Sequence, residues 1–442
     1  MTSEIRDDRI LQLLLNGDPS LDDGAARRQL ERAALVISAT TAASTPWGQA
    51  ALLTITECAT RMFRGGVYLA RTFNEPVIVG CRMPVPLQRL LIDAGCHAEQ
   101  GPDHAFTLHV GTEALGAHQS FRCWADGWVA TVSPRPPRDT PLPGNEISGA
   151  LVGALAVSEI FRSIVLGDLR AAKSTQRLSA LTPSTSEASG MQIVHLPSRL
   201  WLLGLGNLGQ ATLWVLGLLP YTDPGAVELV LQDFDISGPE NLGIQLLTKP
   251  SWLGRKKARA AADWAASRGF QTIVTERRFS GESRRCTDEP GLVLVGVDNL
   301  AARRAAAADC TGFDLVIDAG LGATPSEVFD IRVHSFPGFR SSGNAWPEPA
   351  PKEERPLGPT LRRLISDGRI DICGAMRIAG QPLGIPTTAV AAAAIALAQA
   401  CRAVSEGNYC DLVDVSLTGT RRAVAHEATL QRPGSLPFVA AR

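Results

Sequence analysis

The residues equipped for chemistry gather in the middle of the chain. After the apolar stretch at Trp201 come Gly204, Gly206 and Gly209 in G-x-G-x-x-G spacing, then Asp233 and Asp235, Asn241, and the adjacent Lys256 and Lys257. Glycines so spaced let backbone approach a phosphate at a helix N-terminus, although alone they are a weak signal. A hydride-transfer enzyme would use Asp233 as the ribose-binding acid, and the rest of the stretch would go unexplained. A nucleoside triphosphate accounts for more of it. Asp233 then takes the ribose hydroxyls, Asn241 donates to phosphate oxygens and Lys257 supplies point charge. Asp298 ends a further apolar strand, where a carboxylate can hold magnesium.

These residues require parallel strands that present their carboxyl ends together. The second half alternates strand-like and helix-like runs: RLWLLG, LGQATLWVLGLL, VELVLQDFD, GRKKARAAADWAASRG, QTIVTERRF, GLVLVGVDN, LAARRAAAADC and FDLVIDAG. An antiparallel strand VFDIRVHSF, a loop-like stretch rich in Pro, Gly and Arg, an Ala-rich helix and a hairpin YCDLVDVSLTGTRRAVAHEA complete it. The pattern predicts an α/β, Rossmann-like fold with a mainly parallel sheet.

The first half reads as a degenerate copy. GVYLA, PVIVG and FTLHVG are strand-like, FRCWADGWVATVSP matches the antiparallel pair, and NEISGALVGALAVSEIFRSIV matches the Ala-rich helix. Gly48-Gln49-Ala50 opens its first helix as Gly209-Gln210-Ala211 opens the second half's. The phosphate-approaching glycines, the D-x-D pair, the lysine and the asparagine have no counterparts there. The expected organisation is a degenerate domain over residues 1–175, a linker over 176–190, and an active domain over 191–430 with a crossover loop at about 336–372.

Composition bounds the function. A chain of 442 residues with 45% hydrophobic and 20% charged residues fits two globular domains. A formal charge of −1 gives no electrostatic case for nucleic acid or an anionic membrane. The apolar runs read as too short for a membrane span, and the chain opens without a signal peptide, so the expected location is cytoplasmic. Nine scattered cysteines with no C-x-x-C argue for reduced thiols and against zinc.

D-x-D, Asn-Leu, Gln and then Lys, following the glycine loop, resemble the adenylation domain of ubiquitin-activating enzymes and their ThiF-like bacterial relatives, which adenylate sulfur-carrier proteins. The resemblance covers about residues 195–425. Gly204, Gly206, Gly209, Asp233, Asn241, Gln245 and Lys257 match its nucleotide-binding positions, and Asp298-Asn299 with Arg303 match its D-N-x-x-x-R. It implies ATP and Mg²⁺, with Asp298 as the metal ligand and Lys257 and Asn241 acting on the phosphates. It also implies a small ubiquitin-like protein partner with a C-terminal Gly-type tail, activated through its carboxylate, and a conjugating-type enzyme downstream. The alternative within the same resemblance is adenylation of a sulfur carrier or peptide without a conjugation cascade. The family arginine before the glutamine is replaced by Ile244, so Lys256 or another arginine must substitute. The family also draws an arginine from a partner subunit or fused copy; Arg6, Arg9, Arg27, Arg28 and Arg32 are all open, as is a homodimer of such pairs.

Relatives carry their acyl- or sulfur-linked cysteine near the position of Cys373, which follows the long loop. Exposed Cys286 is second, while Cys401 and Cys410 read as buried. Local roles are the simpler expectation elsewhere: Asp235 as a cap, Lys256 as a solvated helix residue, Asp318 as the end of a strand, and Trp201, Trp214 and Trp252 as packing.

Overall fold

The computed structural model describes residues 8–18, 20–80, 85–113, 120–185, 187–322, 324–339, 341–346, 359–366, 383–419, 426–432 and 434–442. Its first half opens with helices α1 (Arg9–Gly17) and α2 (Asp23–Arg32), capped by Asp8 and Asp22. Then come β1 (Leu35–Ala39), α3 (Pro46–Met62), β2 (Val67–Leu69), α4 (Leu87–Asp93), β3 (Phe106–Val110), β4 (Ser120–Asp126), β5 (Val129–Ser133), α5 (Glu146–Ile164) and β6 (Gln176–Ser179). The second half runs β7 (His195–Pro197), β8 (Arg199–Leu203), α6 (Asn207–Leu216), β9 (Glu228–Gln232), α7 (Lys257–Ala266), β10 (Gln271–Thr275), β11 (Leu292–Val295), α8 (Leu300–Ala306), β12 (Leu315–Leu321) and β13 (Asp330–Phe336). It closes with α9 (Ser342–Ala345), α10 (Pro359–Ser366), α11 (Pro386–Glu406), β14 (Asn408–Cys410), β15 (Leu412–Ser416), β16 (Glu427–Thr429) and β17 (Phe438–Ala440).

The two main sheets share one topology. The first has the order β2-β1-β3-β4-β5-β6 and the second β10-β9-β8-β11-β12-β13-β15. In each, the strands up to β4 or β12 are parallel and the last two antiparallel. The second copy adds β10 at one edge. Strand order reverses between β1 and β3, and again between β8 and β11, so each sheet has a switch point where ligands of open α/β sheets bind.

The repeated Gly-Gln-Ala has a packing reason. A Cβ on Gly48 would stand 1.9 Å from the Ala42 oxygen, and one on Gly209 would stand 1.8 Å from the Gly204 oxygen. Only glycine lets each helix lie this close to the loop that feeds it. The glutamine one residue on is fully buried in both copies. Gln49 donates to the Ala43 and Pro76 oxygens and accepts from Ile78 N. Gln210 donates to Leu205 O and Gln245 Oε1 and accepts from Leu247 N. Each glutamine thus ties its own loop to a segment beyond the next strand, with every polar atom satisfied.

Helices α3, α5, α6 and α11 pack between the copies. α5 and α11 are apolar over nearly their whole circumference because other helices surround them. By length and composition both would cross a membrane, contrary to the reading that no run is long enough. They are instead core helices, with 89% and 94% of their apolar windows buried. Small residues set the spacing: a Cβ on Gly149 would stand 2.2 Å from the Trp47 oxygen.

Several local expectations are corrected. Residues 76–80 form one β-bridge rather than a strand, because Gln49 and Leu218 of the second copy take their backbone groups. The first four residues of the expected linker form β6. The expected hairpin splits: β15 joins the main sheet beside β13, while β14 pairs with β16. The expected crossover loop contains α9 and α10.

Candidate nucleotide-binding site

The glycine loop leaves β8 and turns into α6. Gly204 has φ +88°, a conformation that favours glycine, and its N–H donates to Gln232 O at 2.8 Å. Asp233, at the end of the neighbouring β9, holds the loop from the other side: Oδ2 accepts from Leu205 N at 2.7 Å and Oδ1 from Asp235 N at 2.8 Å. Trp201 also braces this strand end, donating to Gln232 Oε1 at 3.0 Å. Asp233 is buried and leaves lone pairs on each oxygen beside the loop.

From Asp233 the polar chain continues through Asp235 to Lys257. Lys257 Nζ lies 3.1 Å from Asp235 Oδ2, and its backbone N–H donates to Asp235 O. Asp235 therefore anchors the lysine and does not act as a side-chain cap. Lys256 is no solvated helix residue: its Nζ donates to Phe234 O at 2.5 Å. That ammonium is committed to the strand end and is poorly placed to replace the arginine absent at Ile244, itself buried. Asn241 is buried too, with Oδ1 accepting from Gly238 N, which directs the chain through a turn of 3₁₀ helix. Gln245 belongs to the buried Gln210–Thr248 network, accepting from Gln210 at 2.8 Å and Thr248 at 3.1 Å.

Asp298 follows β11 and is exposed, with no hydrogen-bond or ion-pair partner among the described residues. Val297 joins this end to the glycine loop, since a Cβ on Gly204 would stand 2.7 Å from Val297 Cγ1. Asn299 caps α8 by accepting from Ala301 N and Ala302 N. Arg303 forms a two-pronged pair with Asp318, at 2.7 and 2.6 Å. Asp318 lies inside β12, fully buried, so the reading of it as a strand end is corrected. His334 Nδ1 stands 3.9 Å from the same carboxylate. This ion pair fixes α8 against the sheet and leaves Asp298 free at the front.

The donor set fits a phosphate-bearing ligand. Gly206 precedes α6 as its N-cap residue with no side-chain cap, and a Cβ placed on it would meet nothing within 4 Å. The helix start is therefore an uncapped set of N–H donors beside open space. Asp298 is an oxygen ligand of the kind magnesium favours. A metal bound there would neutralise phosphate charge.

The equivalent place in the first copy is built differently, and the sequence reading passed over it. Ala39 pairs with Val110 as Leu203 pairs with Val295, so Glu113 occupies the offset of Asp298. Glu113 turns inward. It accepts from Thr40 Oγ1 and, at 2.6 Å, from Thr41 Oγ1, and lies 2.9 Å from His109 Nε2, whose Nδ1 is 3.2 Å from Ser38 Oγ. Burial pushes the Glu113 carboxyl up, but these hydrogen bonds outweigh it and bring its pKa down to about 2. Thr45 caps α3 by accepting from Gly48 N at 3.1 Å. The signal in sequence was Gly111-x-Glu113 after an apolar strand, matching Gly296-x-Asp298.

Of the five arginines left open as phosphate contacts, Arg9, Arg27, Arg28 and Arg32 sit on the N-terminal helices. Arg27 pairs with Asp23, Arg28 and Arg32 are exposed, and Arg9 lies on α1, whose end reaches Pro325 of the second copy. Arg6 and Cys373 lie outside the described residues. Cys401 and Cys410 are buried, which pushes their thiols up to about 12 and about 11. Neither is a ready nucleophile. Cys286 is exposed, as expected, and so is Cys310.

Each half of the chain matches a family model. Residues 196–407 match the model of the BilD C-terminal domain, and residues 32–180 match that of the BilD N-terminal domain. The bacterial E1-like protein BilD of Collimonas sp. (strain OK412) is 34% identical over 302 residues, 66% of this chain and 65% of that relative. Both halves of the chain are thus similar to a bacterial E1-like protein. The match spans just under two thirds of the relative's length. Among solved structures, E. coli MccB aligns over 55% of this chain and 65% of its own, with TM-score 0.32 and 12% identity. PaaA aligns over 53% and 73%, with TM-score 0.33 and 16% identity.

Proposed function

We propose that this E1-like chain activates the C-terminal carboxylate of a small ubiquitin-like protein by ATP- and Mg²⁺-dependent adenylation. The acyl group then passes to a cysteine as a thioester and on to a conjugating-type enzyme. The observation that carries the reading is the continuous polar chain from the glycine loop through Asp233 and Asp235 to Lys257, at the switch point of the second sheet, with Asp298 free beside it. Attack of a carboxylate on the α-phosphate forms one O–P bond and breaks another, releasing pyrophosphate. The nucleophile is already ionised, so the site has to orient and neutralise charge rather than move a proton.

In this reading Asp233 fixes the loop and receives the ribose hydroxyls. The N–H groups at the start of α6 and the amide of Asn241 donate to phosphate oxygens. Lys257, held by Asp235, supplies positive charge, and Asp298 supplies the metal's carboxylate ligand. The first copy serves as a non-catalytic partner, with domains divided near residues 175 and 190. Cytoplasmic localisation belongs to the same proposal.

The test is ATP–pyrophosphate exchange in the presence of a small ubiquitin-like protein with a C-terminal Gly-type tail. Asp298→Asn and Lys257→Ala should each lower exchange by about 2–3 orders of magnitude while the fold survives. Near-normal exchange in either variant would remove the nucleotide assignment. If exchange occurs but no thioester forms on any partner, the biosynthetic alternative, adenylation of a peptide or sulfur carrier, takes its place.

A further inference from the structure

Helix α3 of the first copy reaches the second copy at two points, one in the helical core and one beside the candidate site. From α3, Thr54 Oγ1 accepts the indole N–H of Trp214 on α6 at 3.1 Å. About two turns later, Arg61 reaches across beside the candidate site, and its Nη2 donates to the Leu246 oxygen at 2.7 Å. Its Nη1 is fixed by Glu57, 2.7 Å from both the carbonyl oxygen and Oε2, so the guanidinium is held at both ends in a largely buried place. Leu246 follows Gln245, whose N–H donates to Asn241 O at 2.9 Å. Leu247 N and Gln245 Oε1 are both bound by Gln210, one residue after the glycine loop's last glycine.

We propose that Arg61 is a positioning residue for adenylation. Through the Leu246 carbonyl it holds residues 241–248 against α6, which sets the distance between the Asn241 amide and the phosphate-facing N–H groups. The contribution comes from a copy with no phosphate-approaching glycines of its own, and it acts on backbone two residues beyond Ile244. The inference rests on the adenylation reading, but its structural part can be read separately.

Arg61→Ala should raise the KM for ATP in pyrophosphate exchange roughly tenfold, the size expected for losing a charged hydrogen bond, with kcat nearly unchanged. Millimolar guanidinium ion should restore part of the loss. Amide hydrogen exchange over residues 241–248 should quicken in the same variant. Thr54→Val, which loosens the same interface at Trp214, should lower the melting temperature yet leave both the KM and the 241–248 exchange as they were. An unchanged KM and unchanged amide exchange in Arg61→Ala would overturn the proposal, as would equal effects in Thr54→Val. If the wild-type chain shows no pyrophosphate exchange while Arg61→Ala still frees residues 241–248, the adenylation reading fails and the positioning contact stands.

Discussion

Gly209 offers the sharpest separation of folding from ligand binding, because Gly48 is its built-in control. A Cβ at 209 would lie 1.8 Å from the Gly204 oxygen and 2.8 Å from its carbon. Carbon contacts are comfortable at about 3.5 Å, so the Gly204 peptide must withdraw by roughly 1.5 Å. At Gly48 the same substitution meets the Ala42 oxygen at 1.9 Å and its carbon at 2.5 Å. Overpacking of this kind costs about 1–3 kcal/mol, and in a domain of this size each kcal/mol moves Tm by about 2–4 °C. Gly48→Ala and Gly209→Ala should therefore lose similar amounts of stability.

They should differ in what ATP restores. Saturation at 100 times Kd adds about 2.7 kcal/mol, a rise of about 5–10 °C on the same scale. Gly48→Ala should keep that Mg-ATP-dependent rise, because its displaced peptide lies in the closed first-copy loop. Gly209→Ala should lose most of it, because the displaced peptide belongs to the loop that faces phosphate. Thermal unfolding with and without Mg-ATP reads both variants in one experiment. A full ATP-dependent rise in Gly209→Ala, or its loss in Gly48→Ala alone, would refute the assignment of the site to the second copy.

Two further outcomes are expected. The Glu113 carboxyl is held down at about 2, below the unfolded value near 4.5, so its contribution to stability is complete above pH 4.5 and fades as pH falls toward 2. Glu113→Gln should thus flatten the Tm–pH curve between pH 4.5 and 2, and an unchanged acid limb would count against the first-copy network. Cys373→Ala should leave pyrophosphate exchange nearly intact and abolish a DTT-sensitive adduct with the small protein partner; Cys373→Ser should trap a DTT-resistant ester. Persistence of the adduct without Cys373 and its loss without Cys286 would move the acceptor to Cys286.

Much of the frame was legible because it depends on local signals. The alternation of β and α runs placed β8, β9, β11 and β12, and the shared Gly-Gln-Ala exposed the duplication, since glycine is needed for helix–loop contact and glutamine for a buried network. What escaped depended on long-range partners. PVIVG has strand composition, but its backbone groups go to Gln49 and Leu218 rather than to a ladder. Asp318 reads as a strand end in the sequence, because its partner Arg303 lies fifteen residues earlier on a helix. Lys256 looked solvated because sequence cannot show that the Phe234 carbonyl faces it. Gln245 matched a ligand position, yet its oxygen is bound by Gln210 and Thr248.

The two copies differ in their chemistry where the strands end. Both keep the close glycine, the buried glutamine and the switch point, which are the terms that hold helix to sheet. In the first, Thr45 caps the helix start, while Thr40, Thr41 and His109 take up Glu113, so donors and carboxylate satisfy one another. In the second, Gly206 caps nothing and Asp298 stands free of partners among the described residues. The same scaffold thus carries one closed set of polar groups and one open set. Retaining the closed copy still has a physical use, because Arg61 on its helix α3 grips the Leu246 carbonyl beside the open set.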